Sequence, residues 1–156
     1  MAVSTYLVTA ESTAPPEDVF AVVADATRWR EWAGSMITVS EWEREGDPPP
    51  GGVGAIRRLG RPPALAREQI LEYDPPHHLA YTIVRGLPVR GYHADVELLP
   101  ATGGGTTIRW SGAFEPKVPG TGALFAAVLG RIVHGYARGA AVEAERRVER
   151  GDDGTG

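Results

Sequence analysis

The 156-residue chain has no cysteine. That excludes a disulfide scaffold, thiolate zinc sites and a cysteine nucleophile together. Positive charge is not in excess either: 16 Lys+Arg against 20 Asp+Glu give a formal net charge of -4, whereas a nucleic-acid binder normally carries a basic patch. No long hydrophobic run occurs. The longest stretch free of charged side chains, residues 118–130, is rich in Gly and Ala and falls short of the roughly 20 apolar residues a membrane helix needs. The opening MAVSTYLVTAEST has neither a basic nor an apolar leader segment, so no secretion signal is expected and the expected location is the cytoplasm.

Motifs for several chemistries are also missing. H-E-x-x-H is absent, and His77, His78, His93 and His134 include no pair at metal-binding spacing on one helix, so no metal site is expected. His77 and His78 follow a Pro75-Pro76 turn and are expected in solvent. His93 alternates onto a polar strand face with Asp95, and His134 lies opposite Phe125 on its helix. No G-x-S-x-G elbow marks a serine hydrolase. Gly103-Gly104-Gly105 joins two expected strands and opens no helix, so it lacks the N-terminal amides that bind phosphate. Gly52-Val53-Gly54 is likewise read as turn chemistry.

What remains is a globular composition, 42% hydrophobic and 23% charged. The expectation is one domain over residues 1–150, with residues 151–156 a frayed, disordered tail. Gly and Pro, 20 and 13 in number, punctuate the chain and form no tract. Residues 3–11 read as a strand. Pro15-Pro16 after a polar cap starts a short helix with Val19, Phe20, Val22 and Val23 on one face, and Trp29 and Trp32 share a face of a second. Strands are expected over residues 36–43, 53–59, 65–73, 78–85, 92–99 and 106–114; their short turns make them antiparallel neighbours. From Gly122 to about Arg150, Phe125, Val128, Leu129, Ile132, Tyr136 and Ala140 recur at helical spacing, which predicts a long amphipathic helix.

Hairpin symmetry places side chains on faces. Folding the last hairpin about Gly103 pairs Leu98 with Ile108, Val96 with Trp110, Ala94 with Gly112 and Tyr92 with Phe114 on an apolar face. Glu97 then meets Arg109, and Asp95 meets Ser111, on a polar one. Folding the earlier hairpin about Pro62-Pro63 pairs Ala55 with Ile70, Arg57 with Glu68 and Leu59 with Ala66. An ion pair thus sits on an otherwise apolar face. It is either an edge salt bridge in water, worth little, or a charged pair at a cavity wall.

The apolar face is unusually small in places: Ala55, Ala66, Ala94 and Gly112 on strands, and Ala123, Ala126, Ala127, Gly130, Gly135, Gly139 and Ala140 on the helix. Small residues either let elements approach or leave a hollow. A curved sheet under one long helix favours a hollow, lined by Tyr81, Tyr92, Trp110, Phe114, Phe125 and Tyr136. Trp32, Arg57, Glu68, Ile70, Ile83, Ala94, Leu129 and Ile132 complete the expected ligand-binding set.

The segments APPEDVFAVVADATRWREW, GVGAIRRL, REQILEYDPP followed by HHLAYTIV, and GGGTTIRWSGAFEPKVPGTG resemble the START-like SRPBCC superfamily, in its bacterial polyketide cyclase/dehydrase-type branch. They span nearly the whole chain. The resemblance implies an α+β helix-grip fold: a seven-stranded antiparallel sheet wrapped around the C-terminal helix, with two short helices between the first two strands. It further implies a hydrophobic cavity, and no general cofactor. Three functions follow as expectations. The first is binding of a small hydrophobic, lipid- or polyketide-like molecule, by a monomer or homodimer. The second is a cyclase or dehydratase, for which Arg57, Glu68, Tyr81 and Tyr92 are the catalytic candidates. The third is a protein-interaction module presenting an exposed apolar patch outside the cavity.

Overall fold

Strict alternation defines the strands. In β7 (Thr106–Pro116), Thr106, Ile108, Trp110, Gly112 and Phe114 are buried while Thr107, Arg109 and Ser111 are more exposed, so one face packs and the other meets water. The computed structural model describes residues 2–151. Its other strands are β1 (Ser4–Ser12), β2 (Val39–Arg44), β3 (Ile56–Arg61), β4 (Ala64–Asp74), β5 (His78–Arg85) and β6 (Val89–Pro100). They form one antiparallel sheet in the order β1-β7-β6-β5-β4-β3-β2. Among the described residues only the β1–β7 pairing joins strands distant in sequence; every other pair of neighbours is consecutive along the chain.

Helix α1 (Pro16–Ala24) starts on Pro15-Pro16 and buries Val19, Phe20, Val22 and Val23. Asp25 stops it, its carboxylate accepting the Thr27 amide at 2.9 Å, a local bond that competes with helix continuation. A single turn, α2 (Trp29–Trp32), follows. Helix α3 (Gly122–Glu149) crosses the concave face, with Arg146 and Arg147 in its last turn, where cations complement the helix dipole.

The seven strands, the two short helices and the long one stand in the order the sequence gives them, and most of the expected register is found. Leu98–Ile108, Val96–Trp110 and Ala94–Gly112 pair as expected, and so do Arg57–Glu68 and Leu59–Ala66. Ala55 and Ile70 lie beyond the ladder proper but exchange a backbone bond of 2.9 Å.

Four local expectations are corrected. Tyr92 does not pair with Phe114, because a bulge between Arg90 and His93 interrupts the ladder; Gly91 there has φ +59°, a conformation open to glycine. Their rings still stack, centroids 6.1 Å apart. The strand expected from residue 36 begins at Val39, leaving Met36 exposed and Ile37 buried in a turn. The strand expected from residue 53 begins at Ile56, since Gly54 at φ +90° breaks the extended chain. On α3, Val128 is exposed, and the buried stripe runs Leu129, Val133, Ala137, Ala140, Ala141 and Ala144. Of the expected tail, residues 152–156 lie outside the described residues.

Candidate functional site

A partly open cavity of about 160 Å³ lies between β3–β6 and the N-terminal half of α3. Seven expected ligand-binding residues line it: Glu68, Tyr81, Ile83, Tyr92, Leu129, Ile132 and Tyr136. Met36, Ile37, Leu59, Gly60, Ala64, Ala66, Gly86, Leu87 and Val133 complete the wall. Glu68 is the one charged residue among them.

The other expected residues stand elsewhere. Ile70, Ala94, Trp110 and Phe114 are buried in the layer of core that fills the grip beside the cavity. Phe125 packs against that core but does not reach the cavity. Trp32 lines a second, outer groove of about 430 Å³. The hollow is therefore smaller than the spacing of small residues suggested, for a reason visible at several of them. The Tyr6 ring occupies the space a side chain at Gly112 would need, its atoms 2.4 Å from where a Cβ would stand. Gly139 faces the Trp32 carbonyl in the same way, at 2.9 Å. Ala55, Ala94 and Ala140 are wholly buried. Small residues here mostly permit close approach; among the strand residues named, Ala66 alone opens onto the cavity.

Met36, Ile132 and Tyr136 line both the cavity and the outer groove. They are the partition between them. Met36 is the most exposed of the three, with 60% of its surface accessible, and an unbranched side chain of this kind rearranges easily.

The polar end of the cavity is built on one ion pair. Arg57 is fully buried and donates from Nε to Glu68 Oε1 at 2.8 Å, and from Nη1 to the Val23 carbonyl at 3.1 Å. That carbonyl, in the last turn of α1, also accepts Trp29 Nε1 at 3.0 Å. Two donors thus satisfy a helix-end acceptor that has no partner within its own helix. The guanidinium lies 4.8 Å from the Trp29 ring centroid and 5.0 Å from that of Tyr81, a cation–π sandwich. Arg57 Nη2 has no hydrogen-bond partner among the described residues. The pair is not a water-exposed edge bridge, and Arg57 stands behind Glu68 without lining the cavity. Burial pushes the Glu68 carboxyl above its ordinary value, with Arg57 opposing the shift.

Phenols surround this carboxylate. Tyr6 and Tyr92 share a hydroxyl–hydroxyl hydrogen bond, and Trp110 Nε1 donates to the Tyr81 hydroxyl at 3.1 Å. Burial pushes Tyr6 and Tyr136 up to about 12, and raises Tyr81 and Tyr92 further still. All four remain neutral O–H donors at neutral pH. Tyr6 escaped the sequence reading because β1 and β7 share no hairpin; Tyr6 pairs with Gly112, a ring over a hydrogen.

The arrangement is an apolar box with one buried carboxyl and several hydroxyl donors at one end. Residues 5–149 match the family described as polyketide cyclase / dehydrase and lipid transport. The chain belongs to that family. No curated protein matches its sequence. Among solved structures it is similar to an aromatase/cyclase from a Streptomyces species, at 18% identity and a TM-score of 0.78 over 94% of this chain and 96% of that one. A START superfamily protein of Mycobacterium smegmatis matches at 14% identity and 0.77, covering 92% and 98%. A norcoclaurine synthase point mutant from Thalictrum matches at 17% and 0.74, covering 94% and 96%. These neighbours establish the fold of the family member described here as the START-like helix grip. No helix among the described residues is long and apolar enough to cross a membrane.

Proposed function

We propose that this family member binds a flat, mostly apolar small molecule carrying an oxygen acceptor, lipid- or polyketide-like in class. The apolar part lies against Leu59, Ile83, Leu129 and Ile132, and the oxygen lies toward Glu68 and the tyrosine hydroxyls. The observation that carries this reading is the placement of one buried carboxyl, with neutral phenols beside it, in the wall of an otherwise apolar and partly open cavity. Sites for small molecules commonly combine apolar walls with a few fixed polar groups.

Size refines the proposal. A cavity near 150 Å³ holds one benzene-sized ring, and this one measures about 160 Å³. A larger guest needs the groove beyond Met36, Ile132 and Tyr136, where the Trp32 indole N–H is buried without a partner among the described residues. Titrating phenol and 2-naphthol while following tryptophan fluorescence tests this. Saturable quenching by both is expected, with Ile132→Phe weakening 2-naphthol about tenfold or more and phenol little. Absence of saturation for either compound overturns the proposal.

Catalysis is a second reading, favoured by the raised Glu68 carboxyl. In its ionised form Glu68 takes a proton from the carbon between two carbonyls. The enolate carbon then attacks a second carbonyl, and the resulting alkoxide receives a proton from the Glu68 acid, while Tyr81 and Tyr92 donate to the oxygen that gains charge. Arg57 acts here as a positioning residue, holding Glu68 from behind. Turnover of a poly-β-keto thioester that is lost in Glu68→Gln and retained in Tyr73→Phe, whose ring packs on Phe20 and does not line the cavity, supports cyclisation; binding without turnover leaves the carrier reading alone.

A further inference from the structure

The outer groove carries a charge opposite in sign to that of the cavity. Glu68 is the one charged residue in the cavity wall. Arg131 is the one charged residue in the groove wall, and no carboxylate lines it. The α3 positions within helical reach of Arg131 are Ala127, Val128, His134 and Gly135, and none is acidic. Glu31, beside Trp32 in sequence, is held by Arg28 at 2.6 Å. Among the described residues, Arg131 enters no ion pair.

Trp32 supplies a second, independent feature. Its indole N–H is buried with no acceptor among the described residues. Trp29 and Trp110 both use theirs, on the Val23 carbonyl at 3.0 Å and the Tyr81 hydroxyl at 3.1 Å. A buried donor left unsatisfied is costly, and native structures keep few of them. A donor without an acceptor and a cation without an anion therefore stand in the wall of one groove.

Resting on the binding function proposed above, we propose that the outer groove is the subsite for a carboxylate at the far end of the same guest. The guest is then an amphipathic carboxylic acid: its acid pairs with Arg131 and accepts from Trp32 Nε1, its apolar body crosses the partition, and its other oxygen lies toward Glu68. Such a guest displaces Met36, the exposed and unbranched member of the partition; the indole N–H is otherwise closed off. The reverse orientation is disfavoured. It would set the carboxylate beside buried Glu68, where lost hydration and like charge both oppose it. The competing description is a solvated surface arginine above an ordinary core tryptophan, which predicts no preference for an acid over its neutral amide.

Calorimetric titration with 6-hydroxy-2-naphthoic acid, its carboxamide, 2-naphthol and phenol tests the subsite. At neutral pH and low salt the acid is expected to bind at least about tenfold tighter than the carboxamide, a preference that shrinks as ionic strength rises. Arg131→Gln brings the acid down to the affinity of the carboxamide, and Trp32→Phe, which keeps a ring against Trp29, weakens the acid about five- to tenfold. Arg138→Gln, on the same helix but outside the groove, leaves the preference intact. Phenol, confined to the cavity, reports that each variant is folded. An acid bound no tighter than its carboxamide, or a preference undiminished in folded Arg131→Gln or Trp32→Phe, overturns the subsite while saturable phenol and 2-naphthol binding leaves the cavity reading standing. Absence of saturation by every one of these compounds removes both.

Discussion

The two halves of α3 use the same small residues to opposite ends. Over residues 137–149 the helix is sealed to the rest of the grip. Ala137, Ala140, Ala141 and Ala144 are buried, the Ser12 hydroxyl donates to the Ala141 carbonyl at 3.0 Å, and the backbone of Gly139 faces that of α2. Over residues 129–136 the helix stands off. Leu129, Ile132 and Tyr136 roof a cavity, Gly130 only grazes the Tyr6 side chain and Gly135 has open space where a Cβ would stand. Alanine and glycine therefore do not by themselves announce a hollow. They announce that large side chains are absent, and the distance to the opposing layer decides whether backbone or empty space takes their place.

The largest effect that would sharpen this contrast lies at the cavity's polar end. Arg57→Ala leaves Glu68 without its partner and a helix-end carbonyl short of a donor. It is expected to cost about 3–5 kcal/mol in urea unfolding. A loss below about 1 kcal/mol would mean the pair is better hydrated than its burial implies.

Next comes overpacking of the sealed half. Ala140→Leu should lose about 1–3 kcal/mol, whereas Ile132→Leu, over the cavity, should remain within about 1.5 kcal/mol of the parent. Equal losses at both positions would erase the distinction between the halves.

A finer comparison uses two glycines four residues apart. Gly135→Ala meets nothing within 4 Å, so improved helix propensity should stabilise the chain by about 0.5–1 kcal/mol. Gly139→Ala places its Cβ 2.9 Å from the Trp32 carbonyl, and that gain should vanish or reverse. Thermal melts of the pair decide it.

The smallest effect is a pH slope. The folded chain holds the Glu68 proton more tightly than the unfolded chain, because burial lifts the carboxyl above 4.5. Stability from this group is therefore greatest below 4.5 and declines as pH climbs toward the folded value, then levels. The Glu68→Gln variant should lack that decline in urea midpoints measured from pH 4 upward. An identical slope in both proteins would place the titration elsewhere.

Much of this was legible beforehand. Strand order followed from short turns, and the Arg57–Glu68 register from symmetry about Pro62-Pro63, because a hairpin leaves little freedom. Of the seven cavity residues readable in the sequence, Glu68, Tyr81, Ile83 and Tyr92 followed from strand alternation and Leu129, Ile132 and Tyr136 from helical spacing. Tyr6, which lies in the core and bonds to Tyr92, was not readable, since pairing between the two ends of the chain has no turn to anchor it. Met36 and Leu87 lie in loops, whose course no periodicity dictates. Trp110 and Phe114 face the right way yet belong to the packed layer: alternation reports a side chain's face and says nothing of how closely the opposite layer approaches. The contacts of His78 with Glu72 and Asp95 were missed because each residue was judged along its own strand, whereas the three lie across β4, β5 and β6.

The central claim is that a guest enters beneath the N-terminal half of α3. Amide chemical-shift mapping with 2-naphthol addresses it most directly. The account predicts concentration-dependent shifts at Glu68, Tyr81, Ile83, Leu129, Ile132 and Tyr136, with Ala140, Ala141 and Ala144 unmoved. Shifts confined to the convex face or to the sealed half, or none at all, would contradict it.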